Sequence, residues 1–217
     1  IWLGGYWWGD SRLPIKTELD EVGATNSLTA AVMQPNIDQY KKWNPEFEQE
    51  IIQTIGRMGA DLENIKPQLA IWPESVTPGE LIEDPYFKLM EDITDRSGAF
   101  QVIGSSLSEE GKQYVGAYLL EPKSDQLQAY RKIKLVPFGE YIPFEKQVRR
   151  FFPEIKILGE LGSFTPGQFP QPLLEMGDLF LGTTICYEAI FPQLWLKQTR
   201  QGAQLFVNLT NDAWFFN

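Results

Sequence analysis

Apolar positions recur along this chain at two spacings, and the switches between them outline alternating strands and helices. The run LTAAVMQPNI, residues 28–37, is almost continuously apolar until Pro35 and Asn36 stop it, the pattern of a first buried strand. In NPEFEQEIIQTIGRMGADLENIK, Phe47, Ile51, Ile55, Met58, Leu62 and Ile65 fall three or four apart, which lays one apolar stripe along a helix. Asn44 stands where a cap is needed, and Pro45 suits the first helical position, whose N–H has no partner in any case. QLAIWPES then reads as a short strand running into a Pro-containing loop. DPYFKLMEDITDRSG repeats the helical spacing, with Asp84 expected as cap, Pro85 at the start and Gly98 at the end.

Three strand patterns follow: AFQVIGSSL, YVGAYLLEP and LQAYRKIKL. The alternation lapses between Pro137 and Pro172, a stretch rich in Pro, Gly and Phe that is too long for an ordinary connection and so reads as a functional loop. LFLGTTICYEA resumes as a buried strand, IFPQLWLKQTRQG as a helix and AQLFVNLTND as a last strand. Strand–helix–strand alternation predicts an α/β fold with helices covering a sheet.

Charge narrows the partners. The chain has 217 residues and a formal net charge of -10, with no basic stripe, so a nucleic-acid partner is disfavoured. Histidine is absent and cysteine occurs once, which removes Ser-His and Cys-His dyads, His-ligated metals and intrachain disulfides together. No metal or cofactor is expected. The opening IWLGGYWWGDSRL is apolar for only about nine residues, short of the ~20 that span a bilayer. It lacks the basic start of a signal peptide. A tail, an edge strand and the last turns of a transmembrane helix all fit it, the last because Trp and Tyr favour membrane interfaces.

Acid–base chemistry must then run on carboxylates, lysine or tyrosine. Three apolar runs end in such groups: AIWPES in Glu74, YRKIKLVPFGE in Lys132 and Glu140, and TTICYEA in Cys186 and Glu188. A glutamate can take a thiol proton, and a lysine can lower a thiol pKa and later stabilise an oxyanion. Those groups suffice for acyl transfer. Taken singly, each also has a plain structural reading: Glu74 a turn, Lys132 a surface charge, Cys186 a core filler.

The motifs QPNI with the nearby KKW, then WPES, KLVPFGEYIP, ICYE and NDAWF resemble the nitrilase (carbon-nitrogen hydrolase) superfamily between about Leu28 and Trp214. Within it they are most similar to the apolipoprotein N-acyltransferase family, and WGDSRL resembles that family's join between its membrane bundle and its extracytoplasmic domain. The resemblance implies a four-layer α-β-β-α sandwich and a Glu-Lys-Cys triad. Carried over by residue, it implies Glu74 as general base, Lys132 as oxyanion and thiolate partner, and Cys186 as nucleophile. Glu140 would orient Lys132, while Tyr187 and Glu188 would shape the site. Trp43 would lie on the acyl or lipid side, although plain aromatic packing suits it and Tyr187 equally well.

The implied reaction moves an acyl chain from a phospholipid through a Cys186 thioester to the N-terminal cysteine of a diacylglyceryl-modified apolipoprotein. It implies a place at the bacterial inner membrane, on the extracytoplasmic side. Residues 1–27 would form a membrane-proximal segment and 28–217 the catalytic domain. The family continues past NDAWF and carries transmembrane helices before the domain, so a fragment incomplete at its C-terminus is expected. Phe144, Phe151 and Phe152, with Arg149 and Arg150, are expected in a lid from Phe144 to Phe164 that meets donor lipid, hinged at Gly159, Gly162 and Gly167. A loop folded over its own core fits the same composition. A soluble amidase or nitrilase, and a non-catalytic membrane-associated domain, are the competing functions.

Overall fold

The computed structural model describes residues 27–144 and 164–211. Five strands form one sheet in sequential order: β1 (Ala30–Val32), β2 (Leu69–Ile71), β3 (Phe100–Glu109), β4 (Lys112–Leu120) and β5 (Leu127–Arg131). The β1–β2 and β2–β3 pairs are parallel, and β3–β4 and β4–β5 antiparallel. A second sheet holds β6 (Leu174–Met176), β7 (Leu179–Ile185) and β8 (Leu205–Leu209), with β6–β7 antiparallel and β7–β8 parallel. The connection from β1 to β2 contains a short helix α1 (Gln39–Lys42) and the long helix α2 (Glu48–Ile65). Helix α3 (Tyr86–Ser97) connects β2 to β3, and α4 (Pro192–Gln201) connects β7 to β8.

Two apolar layers hold these elements together. Ile51, Ile55 and Leu62 of α2, with Met90 and Ile93 of α3, pack on Ala70, Ile103, Leu107, Tyr118 and Leu120 of the first sheet. On the opposite face, Leu69, Val102, Val115, Ala117 and Leu119 meet Leu174, Leu181, Ile185, Val207 and Leu209 of the second sheet. Covered on both faces, β2, β3 and β4 carry apolar side chains at successive positions, such as Val102 and Ile103 or residues 117–120, and the buried polar Gln101 and Ser105 among them are hydrogen-bonded. Helix α4 buries Leu194 and Gln198, and Gln198 Nε2 donates to Thr183 O of β7 at 2.7 Å. The layers run α-β-β-α, the fold that the motifs implied.

Several local expectations need correction. Among the described residues the first strand is not buried: β1 lies at the edge of its sheet, three residues long, with Val32 79% exposed. Asn44 does cap, through Glu46 N at 3.0 Å, but it caps a 3-10 turn at Pro45–Phe47 that leads into α2. The buried stripe of α2 is Ile51, Ile55, Gly59 and Leu62, with Met58 half-buried against the same core as expected, while Ile65 is exposed. Gly59 joins the stripe because Ile93 of α3 sits 2.5 Å from where a Cβ would project. Asp84 caps nothing: Pro85 takes the N-cap position of α3 without a side-chain bond, whereas Gly98 ends the helix at φ +68° as expected. Helix α1 was not anticipated. Asp38 starts it by accepting from Tyr40 N (2.8 Å) and Lys41 N (3.4 Å).

Candidate active site

Strand direction brings three distant segments to one edge. Strand β2 is parallel to β3, β4 reverses and β5 reverses again, so β2 and β5 finish at the same end of the sheet. Glu74 lies three residues beyond β2 and Lys132 one residue beyond β5. Cys186 directly follows β7 of the facing sheet and opens a 3-10 turn, Cys186–Ile190. Its φ of 49° lies in the left-handed region, a strain of about 1–3 kcal/mol for a residue with a side chain. Gly104 of β3 lets the Glu74 segment rest directly on the sheet. A Cβ there would stand 2.4 Å from Pro73 O and 2.5 Å from Glu74 Cα, and Gly104 O accepts from Val76 N at 2.9 Å.

The side chains converge. Lys132 is wholly buried, and its ammonium donates to Glu74 Oε1 at 3.1 Å and to Glu140 Oε1 at 2.5 Å. Glu140 is itself held by Val136 N, which donates to its Oε2 at 2.9 Å. The half-buried Cys186 thiol lies within reach of the Glu74 charge, and the Thr210 side chain and the Tyr187 N–H hydrogen-bond to its sulfur.

Burial raises the Glu74 pKa above the usual carboxylate value, more than the Lys132 ammonium pulls it down. Burial would pull Lys132 down, but Glu74 and Glu140 outweigh it and hold its pKa above the ordinary lysine value. Burial and the Glu74 charge push the Cys186 thiol up against the opposing pull of Lys132. Lys132 does lower the thiol pKa as expected, but burial and Glu74 outweigh it and leave the net shift upward. The resting site holds a protonated thiol beside a carboxylate whose proton affinity burial has raised, which suits proton transfer at the moment of attack.

Glu188 is fully buried behind the nucleophile. Its Oε1 accepts from Ile133 N (2.7 Å) and Lys134 N (2.9 Å), its Oε2 from Ile185 N (2.9 Å), and Tyr130 OH reaches both oxygens at 3.0–3.1 Å. One carboxylate therefore ties the segment after Lys132 to the residue before Cys186.

Other expected residues stand apart from this cluster. The Tyr187 ring packs edge-on against Phe191 with centroids 5.1 Å apart. Trp43 is mostly exposed, with the Lys42 ammonium 5.8 Å from its ring centroid. Phe144 is exposed, while Phe151, Phe152 and nearly all of the expected lid lie outside the described residues, as do residues 1–26 of the expected membrane-proximal segment. Among the described residues no helix is long and apolar enough to cross a membrane. A cavity of about 570 Å³ is lined by residues 32–38, Tyr40, Lys42, residues 71–73, Val76 and residues 208–211, on the segments next to Glu74 and Cys186 but not by those two side chains. Two residues here had no assigned part in the sequence reading. Thr210 bonds the thiol, and Lys42 is a buried cation whose only sequence signal was its place in KKW.

The residues match the carbon-nitrogen hydrolase family from 29 to 217, and the chain belongs to that family. Among curated relatives, it is 35% identical over 192 residues to the apolipoprotein N-acyltransferase of Geobacter metallireducens, covering 85% of this chain and 36% of that protein. It is 33% identical over 210 residues to apolipoprotein N-acyltransferase 2 of Treponema denticola, covering 89% and 39%. The chain thus spans well under half the length of these relatives. Among solved structures, it superposes on the NitN amidase of Nesterenkonia sp. AN1 with a TM-score of 0.60 at 22% identity, covering 85% of this chain and 67% of that one. A carbon-nitrogen hydrolase from Helicobacter pylori G27 gives 0.59 at 15% identity, covering 84% and 59%. These two likenesses establish the nitrilase-superfamily fold.

Proposed function

We propose that this chain is the acyl-transferring domain of an apolipoprotein N-acyltransferase, working through a thioester on Cys186. The observation that carries the reading is the meeting of Glu74, Lys132 and Cys186 at one sheet edge, in a chain whose curated relatives bear that name. Glu74 takes the thiol proton as sulfur attacks the carbonyl carbon of a phospholipid acyl ester. The carbonyl oxygen becomes an oxyanion that the Lys132 ammonium stabilises, with Glu140 keeping that ammonium charged and aimed. The C–O bond breaks, Glu74 returns its proton to the leaving alkoxide, and a lysophospholipid departs. The neutral α-amino group of a diacylglyceryl-modified N-terminal cysteine then attacks the thioester and Glu74 takes a proton from it. The thiolate leaves and is reprotonated, so the cycle closes without a redox partner.

In this reading Tyr187 and Glu188 shape the nucleophile turn, while Trp43, Phe144, Phe151 and Phe152 serve the lipid side. Residues 1–27 approach the membrane, with the catalytic domain on the extracytoplasmic side of the bacterial inner membrane. The test uses the intact protein carrying this chain, mixed with phosphatidylethanolamine vesicles and read by intact-mass spectrometry. Expected is a mass increase of one acyl chain, released by hydroxylamine and lost in Cys186→Ala. Cys186→Ser should lose nearly all of it, because Glu74 is a poor base for a hydroxyl. An adduct that survives in Cys186→Ala, or turnover of small amides with no lipid adduct, overturns the proposal.

A further inference from the structure

We infer that Lys42 receives the phosphodiester anion of the acyl donor, making one wall of the cavity beside Glu74 a headgroup subsite. The inference rests on the acyltransfer reading above and adds a binding group to it. Lys42 is only 4% exposed, yet its ammonium makes one long hydrogen bond among the described residues, 3.5 Å to Glu74 O. An ammonium has three N–H donors, and a cation removed from water without partners is costly. The Trp43 ring, 5.8 Å away, is a weak second partner. Donor capacity therefore remains, on a side chain that lines the 570 Å³ cavity.

The same cavity is bounded by Trp72 and Pro73, which lead into Glu74, and by Thr210, which bonds the nucleophile. Glu74, Lys132 and Cys186 do not line it themselves, so a ligand filling it has Lys42 at its wall and meets the reacting cluster only through Pro73 and Thr210. The other charged group lining it is Asp38, whose carboxylate is engaged in capping α1. Asp38 is exposed to water, which screens it, so the buried charge at the wall is positive. It would repel the ammonium form of an acceptor amine and attract an anion. In a glycerophospholipid the phosphodiester sits on the same glycerol unit as the reacting ester, so the anion stays close to an ester seated at Cys186. Burial lowers the Lys42 pKa to about 8, against the raising effect of Glu74, so the group is still mostly cationic at neutral pH.

The experiment measures acyl-enzyme formation on Cys186 in the intact protein, in mixed micelles containing either dioleoylphosphatidylglycerol or uncharged dioleoylglycerol. For the wild type, the rate ratio of charged over neutral donor should be well above one. In Lys42→Gln that ratio should fall roughly ten- to hundredfold, the worth of one charge-assisted hydrogen bond. Lys42→Arg should restore most of it. Inorganic phosphate added to the wild type should leave the ratio unchanged, and its collapse would mark a free-phosphate site and overturn the donor assignment. Equal wild-type rates from the two donors overturn the inference without any variant, and so does an equal loss on both donors in Lys42→Gln. If the wild type forms no acyl-enzyme from either donor, the acyltransfer reading itself fails, and this inference with it.

Discussion

The Glu188 carboxylate offers a demanding test, because removing it strands donors that have no water to turn to. It is fully buried and satisfies three backbone N–H groups and the Tyr130 hydroxyl. Glu188→Gln keeps the shape but replaces one acceptor oxygen with an amide NH2. In the better orientation the remaining oxygen serves Ile133 N and Lys134 N, and the NH2 faces Ile185 N. One buried donor is then unsatisfied, at about 1–3 kcal/mol. Relief from burying a charge, visible in the raised Glu188 pKa, offsets part of this. A loss of about 1–2 kcal/mol corresponds to a melting-temperature drop of roughly 2–8 °C at this size. Glu188→Ala strands all three N–H groups and should cost at least ~3 kcal/mol, a large share of a normal domain's stability. Urea unfolding followed by circular dichroism at pH 7 measures both. The acyl-enzyme rate of the folded fraction should fall too, since the tie between Lys132 and Cys186 is cut. Glu188→Ala unfolding within about 0.5 kcal/mol of wild type would refute the clamp.

Gly104→Ala should push the Glu74 segment off β3, since the new methyl meets backbone at 2.4 and 2.5 Å. Destabilisation of about 1–3 kcal/mol and a roughly 100-fold slower acylation are expected, and full activity would contradict the contact. Glu74→Gln should block thiol deprotonation while leaving the melting temperature at or above wild type, because a carboxyl pushed toward neutrality gains little from its charge. A large melting-temperature loss would assign Glu74 a mainly structural part. For Lys42, the folded pKa of about 8 lies below the ordinary 10.5. Below pH 8 both states hold the proton and the folded state bears the full burial penalty. Between pH 8 and 10.5 only the unfolded state still binds it, so stability should rise with pH by a total of ~3 kcal/mol. Lys42→Met should remove that rise, and a wild-type-minus-variant difference that stays flat from pH 7 to 10 would exclude the shift.

Periodicity along the chain was enough for the elements whose cause is local. The stripe at Ile51, Ile55 and Leu62 is a property of one helix, and Gly98 ends α3 because its own backbone allows a positive φ. The segments of β2, β3 and β4 read correctly as strands, while the covering of both faces of that sheet came from the packing. The motifs around Glu74, Lys132 and Cys186 pointed to a site only through their likeness to a family, for residues 54 or more positions apart have no spacing to read. Tertiary closure decided the rest. Lys41 and Lys42 are neighbours on one short helix, yet Lys41 pairs with Glu50 at the surface while Lys42 lies beneath it against Glu74 O. Whether β1 was core or edge depended on which strands had partners. The net direction of the thiol pKa depended on how much water burial removes relative to the nearby charges. Glu188 drew notice because it stands beside the cysteine. That it clamps backbone 55 positions away followed from the two sheets meeting, because a buried carboxylate must find its donors wherever the fold supplies them.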